Sequence, residues 1–231
     1  MLADIKRALH GAGKADPRDA PAPASLTQLE QSVSEIQENC SLHRVELLTQ
    51  FESEVTRIGG RFRRALSVES ALQYIDEVAS ARQARRIIAW KAQVIDDTGA
   101  RKKLEEKGVE FLTETPGREF IATAAAADVG VSGVDYALAD TGTLVLLARR
   151  GQARSISLLP PVHIAVMKPE QVVSGLSDLF PLVRAAARDE NRDLSSAITF
   201  ITGPSRTADI ELTLVVGVHG PQQLHVVLLD C

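Results

Sequence analysis

The chain has 231 residues, a formal net charge of −4, 45% hydrophobic and 24% charged residues, the composition of an ordinary globular protein. Its two cysteines, Cys40 and Cys231, are too few for the usual four-thiolate iron–sulfur cluster, a cysteine-rich zinc site or a disulfide framework, which fits a reducing cytoplasm. Residues 1–110 carry 17 basic against 17 acidic side chains and residues 111–231 carry 9 against 13, with nine aromatics in all, so a nucleic-acid interface is disfavoured; no apolar run approaches the roughly 18 residues of a membrane span.

Residues 1–10 place Leu2, Ile5, Ala8 and Leu9 at helical spacing, and Gly11 is a plausible stop. Residues 11–24 (GAGKADPRDAPAPA) hold three prolines and no large apolar side chain, so they read as a linker. From Ser25 onward Leu26, Leu29, Val33 and Ile36, then Val45, Leu48, Phe51, Val55 and Ile58, step by three and four up to Gly59–Gly60. Two amphipathic helices, or one long bent one, account for that spacing. Residues 61–66 are a possible strand, and Ser67 can cap a helix with Leu72, Ile75, Val78 and Ala79 on one face.

Short β-rich runs then alternate with helices. Strands are expected at 86–90, 109–112, 129–138, 143–148, 162–167, 197–202 and 224–229. Helices are expected at 99–107, 117–127 and across most of 172–188, where Pro181 demands a kink or a start. This alternation predicts an α/β fold with a sheet covered on both faces. The domain reading is an N-terminal helix and linker over 1–24, followed by one α/β domain over 25–231.

Three segments carry candidate chemistry. Asp140, Thr141, Gly142 and Thr143 form a Thr-Gly-Thr turn whose amides and hydroxyls can cradle a carboxylate or phosphate; the same residues also suit a plain hairpin turn. Ser205, Arg206, Thr207 and Asp209 follow the strand 197–202. There Ser205 or Thr207 can cap a helix and Arg206 can grip an anion, or the segment is a capped loop with a surface ion pair. His163, on the strand after Pro160–Pro161, is an acid/base candidate or a buried structural histidine. His219, in the turn GVHGP, is a second candidate, and Glu211 is the one acid nominated as a nucleophile. No metal ligands are nominated: the five histidines are scattered, and GxGxxG, Walker, GxSxG, HExxH and CxxC patterns are missing. The basic clusters 61–64, 82–86 and 101–103 are balanced locally by acids and read as solvated faces.

The strings ALADTGTLVLLARRGQARSISLLPPVHIAVMKPEQVV (137–173) and TGPSRTADIELTLVVGVHGPQQLHVVLLD (202–230) closely resemble the LUD-domain family, in particular its lactate-utilisation protein C branch. The resemblance implies a Rossmann-like core similar to the sugar-phosphate isomerase, CoA transferase and cyclo-ligase fold group (NagB/RpiA/CoA transferase-like), with N-terminal helices packed on or appended to it. It also implies a part in oxidising L-lactate to pyruvate beside iron–sulfur partner subunits, with no redox cofactor in this chain. On that reading a small carboxylate such as lactate or pyruvate is held by Arg206 and the Gly142/Thr143 amides, and His163 or His219 takes the hydroxyl proton. Two alternatives use the same residues differently. One is a self-sufficient isomerase, CoA or acyl transferase or cyclo-ligase acting on an anionic metabolite. The other is a non-catalytic assembly subunit that docks through its N-terminal helix.

Overall fold

The computed structural model describes residues 26–113, 119–149, 151–189, 197–208 and 214–231; the helix and linker expected over 1–24 lie outside them. Helices α1 (Leu26–Leu42) and α2 (Arg44–Arg57) are separate, broken at His43 with φ −104° and ψ 21°. Leu47, Leu48, Phe51 and Val55 turn inward along α2, as their spacing requires. The helix closes where the Ile58 amide donates to Glu54 O and the Gly60 amide to Val55 O.

Strand β1 (Arg61–Ala65) follows, then α3 (Val68–Ala81). The expected cap of α3 is present as a reciprocal box: Ser67 Oγ accepts from the Ser70 amide, and Ser70 Oγ accepts from the Ser67 amide. Next come β2 (Arg86–Ala89), a single turn α4 (Gln93–Asp96), α5 (Ala100–Glu106), β3 (Glu110–Thr113) and α6 (Glu119–Ala125). The expected strand 129–138 is two strands, β4 (Val129–Gly133) and β5 (Tyr136–Leu138). The chain turns between them because the Asp135 carboxylate accepts from the Leu147 amide and from the Arg149 guanidinium, pinning the corner.

Beyond β6 (Thr143–Leu147) lie α7 (Ser155–Leu158), β7 (Val162–Met167), a 3-10 turn at Pro169–Gln171 and β8 (Val172–Val173). Helix α8 (Leu176–Asp189) therefore starts five residues before Pro181 and carries that proline inside it. The last strands are β9 (Ile198–Ile201), β10 (Arg206–Ala208), β11 (Leu214–Val216) and β12 (Gln223–Leu229). The helix start expected at Ser205 or Thr207 is not there: Arg206–Ala208 pairs antiparallel with Leu214–Val216. A β-branched threonine between paired neighbours takes the ladder instead of a helical first turn.

Six strands form an all-parallel sheet in the order β1-β12-β7-β4-β2-β3. Every residue of β4 and β7 is buried, as a sheet covered on both faces demands. Helices α2 and α7 cover one face, shown by Phe51 against Phe62 and by Ile156 over Gly130; α3 and α4 cover the other, shown by Tyr74 against His225 and Val94 beside Gly133. A second sheet, β8-β5-β6-β9, takes β5 and β6 from between β4 and β7 and β8 and β9 from between β7 and β12, and its β5–β6 turn packs on α2.

The connections matter for function. From β2 the chain moves outward to β3, then returns to place β4 on the other flank of β2. The direction of winding reverses between β2 and β4, and open α/β sheets bind ligands outside the carboxyl ends of their strands at such a point.

Candidate functional site

The turn at 140–143 and the segment at 202–206, far apart in sequence, meet around the end of α2. Thr143 Oγ1 and Thr202 Oγ1 share a hydrogen bond of 2.8 Å. Gly142, at φ +65°, lies so close to α2 that a Cβ there would stand 2.6 Å from the Val55 amide nitrogen. A Cβ on Gly203 would be 2.9 Å from Ile58 O, and one on Gly59 would overlap the Arg206 guanidinium. The loop 217–221 joins them: the Ser205 amide donates to Pro221 O, and the Gly217 amide to Ser205 O.

This convergence is made largely of packing. The Gly142 amide, nominated to hold a carboxylate, donates to Leu138 O at 3.0 Å inside the hairpin. Thr143 is buried and committed to Thr202. Asp140 Oδ1 accepts from the Thr141 hydroxyl at 3.1 Å, and its other oxygen stands where a side chain on residue 175 would go. Arg206 and His219 are exposed on this cluster. Thr207 lies on β10, while Asp209 and Glu211 fall outside the described residues.

His163 sits elsewhere. It is abreast of Gly130 and Leu224 in the sheet, wholly buried, with Nε2 2.8 Å from Ser132 Oγ and Nδ1 without a partner. Burial, with His225 nearby, pushes its pKa down to about 3, so the ring is neutral at ordinary pH. Neither ring nitrogen bonds to the turn at 140–143 or to the segment at 202–206.

The carboxyl ends of β2 and β4 hold a different assembly, which the motif search passed over. Trp90, the residue after β2, is buried and donates from Nε1 to Ala153 O at 3.1 Å. Asp135, just after β4, pairs with Arg149. Gln171 Nε2 donates to Val134 O, and its Oε1 accepts from the Lys168 amide at 2.6 Å. Lys168 in turn lies 3.8 Å from Asp97. Two features stand out: the buried Gln152 Oε1 has no donor, and the exposed Lys91 and Arg154, flanking the Trp90–Ala153 bond in sequence, form no ion pair among the described residues. A buried acceptor left without a donor costs about 1–3 kcal/mol, so it is where a hydroxyl or amide from outside would be welcome. The signal was present in the sequence as Gln152 and Arg154 within RRGQAR, but only the Trp90–Ala153 hydrogen bond shows that this loop packs against the carboxyl end of β2.

Of the cysteines, Cys40 lies beside Ser174, whose carbonyl accepts from the Asp140 amide at 3.1 Å. Cys40 is buried on α1, where desolvation and the Asp178 charge push its thiol pKa up, and Cys231 is exposed at the last position. Among the described residues no group of three or more histidine, cysteine or acidic side chains could hold a metal, and no helix is long and apolar enough to cross a membrane.

Comparison with known proteins agrees with the sequence resemblance. The LUD-domain family model matches residues 48–229. The chain is 40% identical over 154 residues to lactate utilization protein C of Halalkalibacterium halodurans, covering 67% of this chain and 66% of that one. It is 34% identical to lactate utilization protein C of Shouchella clausii, covering 80% of each, and 26% identical to lactate utilization protein B of the same organism, covering 79% of this chain and 48% of that one. A crystal structure of a DUF162 family protein from Deinococcus radiodurans is similar with a TM-score of 0.57 and 25% identity, over 80% of this chain and 98% of that one. The chain belongs to the LUD-domain family, in the branch whose relatives carry the name lactate utilization protein C.

Proposed function

We propose that this chain works in L-lactate utilisation, as the protein that binds the small carboxylate in an assembly whose other subunits take the electrons. The observation that carries the reading is likeness along four fifths of both chains to a relative named lactate utilization protein C. Oxidising a 2-hydroxy acid to a 2-oxo acid removes two electrons and two protons. Two cysteines at positions 40 and 231, one of them buried with a raised thiol pKa, do not fit the usual cluster, so the electrons go to iron–sulfur partner subunits. The likeness to a protein named lactate utilization protein B supports a system of several related components.

The carboxyl-end crevice suits such a ligand. Lys91 and Arg154 offer cationic charge for a carboxylate, and Gln152 Oε1 offers an acceptor for its hydroxyl. The exposed Arg206 and His219 offer a second grip, with fewer unmet groups around them. A bacterium lacking its own lactate utilization protein C tests the role: expression of this chain is expected to restore growth on L-lactate as sole carbon source. Failure of a soluble, expressed chain to restore growth contradicts it. L-lactate-dependent dye reduction by the purified chain alone contradicts the division of labour with partners.

A further inference from the structure

The basic clusters at 61–64 and 82–86 are separate in sequence, yet the fold brings one arginine from each to the same cavity. It lies on the sheet face covered by α3, against the first half of β1 and β12, with a volume of about 480 Å³. Arg61, Arg82, Tyr74, Gln223 and His225 give it polar walls; Val78 and Ala81 give it an apolar one. This is the opposite end of the strands from the crevice assigned to the carboxylate, and the opposite face from α2.

The polar groups inside are already ordered. Tyr74 Oη lies 2.9 Å from His225 Nδ1, while Gln223 Oε1 lies 3.3 Å from His225 Nε2 and 3.2 Å from Arg61 Nη1. One set of protons satisfies all three: the tyrosine donates to Nδ1, and the Nε2 proton and the guanidinium both point at the glutamine oxygen. His225 is 2% exposed, and burial together with the Arg61 charge pushes its pKa down to about 4, so it is a neutral ring. It therefore brings no charge to the cavity. Arg63 lies 5.0 Å from the Tyr74 ring centre and adds positive charge behind it.

Two guanidiniums in the lining stand against one carboxylate. Neither Arg61 nor Arg82 forms an ion pair among the described residues, and Glu77 is the single carboxylate in the lining. A guanidinium facing a neutral histidine and an amide oxygen, in a cavity lined by a second guanidinium, is an arrangement short of an anion. Arginine forks match the tetrahedral oxygens of phosphate and leave the apolar wall for the rest of the molecule.

We infer that the cavity between α3 and the β1–β12 edge binds a small phosphorylated organic molecule, at a site separate from that of the lactate carboxylate. Arg61 and Arg82 hold the phosphoryl group, Tyr74 and Gln223 fix its orientation, and Val78 and Ala81 contact the organic body.

Phenyl phosphate is a suitable probe, measured by titration calorimetry on the full chain against inorganic phosphate and benzoate. Saturable binding of phenyl phosphate is expected, tighter than that of either fragment. Arg61→Gln and Arg82→Gln are each expected to weaken it at least about tenfold, and Lys102→Gln on α5 to leave it unchanged. Arg82 is exposed at the end of α3, so its variant decides the matter should Arg61→Gln fail to fold. In the unsubstituted chain, the His225 ring signal is expected to move on titration, because its Arg61 and Tyr74 partners reorient. No saturation at about 10 mM, where even a millimolar site would be mostly filled, overturns the site. So does undiminished binding by both arginine variants. Benzoate binding as tightly as phenyl phosphate overturns the phosphoryl assignment. Displacement of phenyl phosphate by L-lactate overturns the separation of the two sites, without bearing on the lactate role itself.

Discussion

The two ends of the parallel sheet are built on opposite terms. Around the end of α2, the turns at 140–143, 202–206 and 217–221 close on one another until their amides, hydroxyls and glycines are engaged with protein. At the carboxyl ends of β2 and β4 the fold leaves a buried glutamine oxygen without a donor and two basic side chains without an ion pair among the described residues. The conspicuous motifs belong to the first cluster, whereas the second holds a buried acceptor that no motif announces. A Thr-Gly-Thr string therefore marks a place where two pieces of backbone must touch, whereas a site for a ligand is marked by what the protein leaves incomplete.

The comparison breaks most visibly at Gly142. An alanine there would bring its Cβ within 2.6 Å of the Val55 nitrogen while holding φ at +65°, so Gly142→Ala is expected to destabilise by about 3 kcal/mol. Melting temperature should fall by roughly 6–12 °C, and growth on lactate should fall only in proportion to folded protein. A loss of activity without a loss of stability would move the ligand site to this end.

The sheet between the two ends gives the next effect, through acid. His163 and His225 have folded pKa values of about 3 and about 4, below the ordinary value of 6.5. Below pH 6.5 the unfolded chain takes up protons that the folded chain refuses, so stability is full above that pH and is lost as pH falls towards 4. The expected slope approaches about 1.4 kcal/mol per pH unit for each histidine. Denaturant titrations from pH 7 to 4.5 measure it; a slope unaltered in His163→Gln would show that His163 is not one of its sources.

Thr143→Val removes the 2.8 Å bond to Thr202 and is expected to cost about 1 kcal/mol without changing lactate-dependent growth. Gln152→Leu sharpens the contrast, because its expected effect on stability is close to zero or slightly favourable. Deleting an acceptor that already lacks a partner removes a desolvation penalty. Growth on lactate should nonetheless be lost. A stable Gln152→Leu protein that supports full growth removes the glutamine from the ligand's surroundings.

Much of the fold was legible because it depends on local pattern. The β7 bounds are those its apolar run implies, and Ser67 caps α3 as the serine before an amphipathic stretch should. The corner at Asp135 was not legible, since the groups that bend the chain there are the Leu147 amide and Arg149, a dozen residues away. The hairpin β10–β11 was missed because capping residues followed by acids imitate a helix start, and strand pairing overrode them. At the candidate site, the Gly142 and Arg206 segments were found as motifs and their meeting was not. The β2/β4 crevice is a property of winding order, and winding order is set by long-range pairing that no short window contains.

The central claim is that a small carboxylate binds at the carboxyl ends of β2 and β4. The chain has a single tryptophan, and Trp90 sits in that crevice with its indole N–H bonded to Ala153 O. One indole signal in the proton–nitrogen spectrum of the labelled chain therefore reports on the site directly. Titration with L-lactate or pyruvate is expected to move that signal saturably in the unsubstituted chain and in Arg206→Gln, and to leave it unmoved in Gln152→Leu. A stationary indole signal alongside saturable shifts of the amides at 140–143 and 203–206, or no shift anywhere, would contradict the claim.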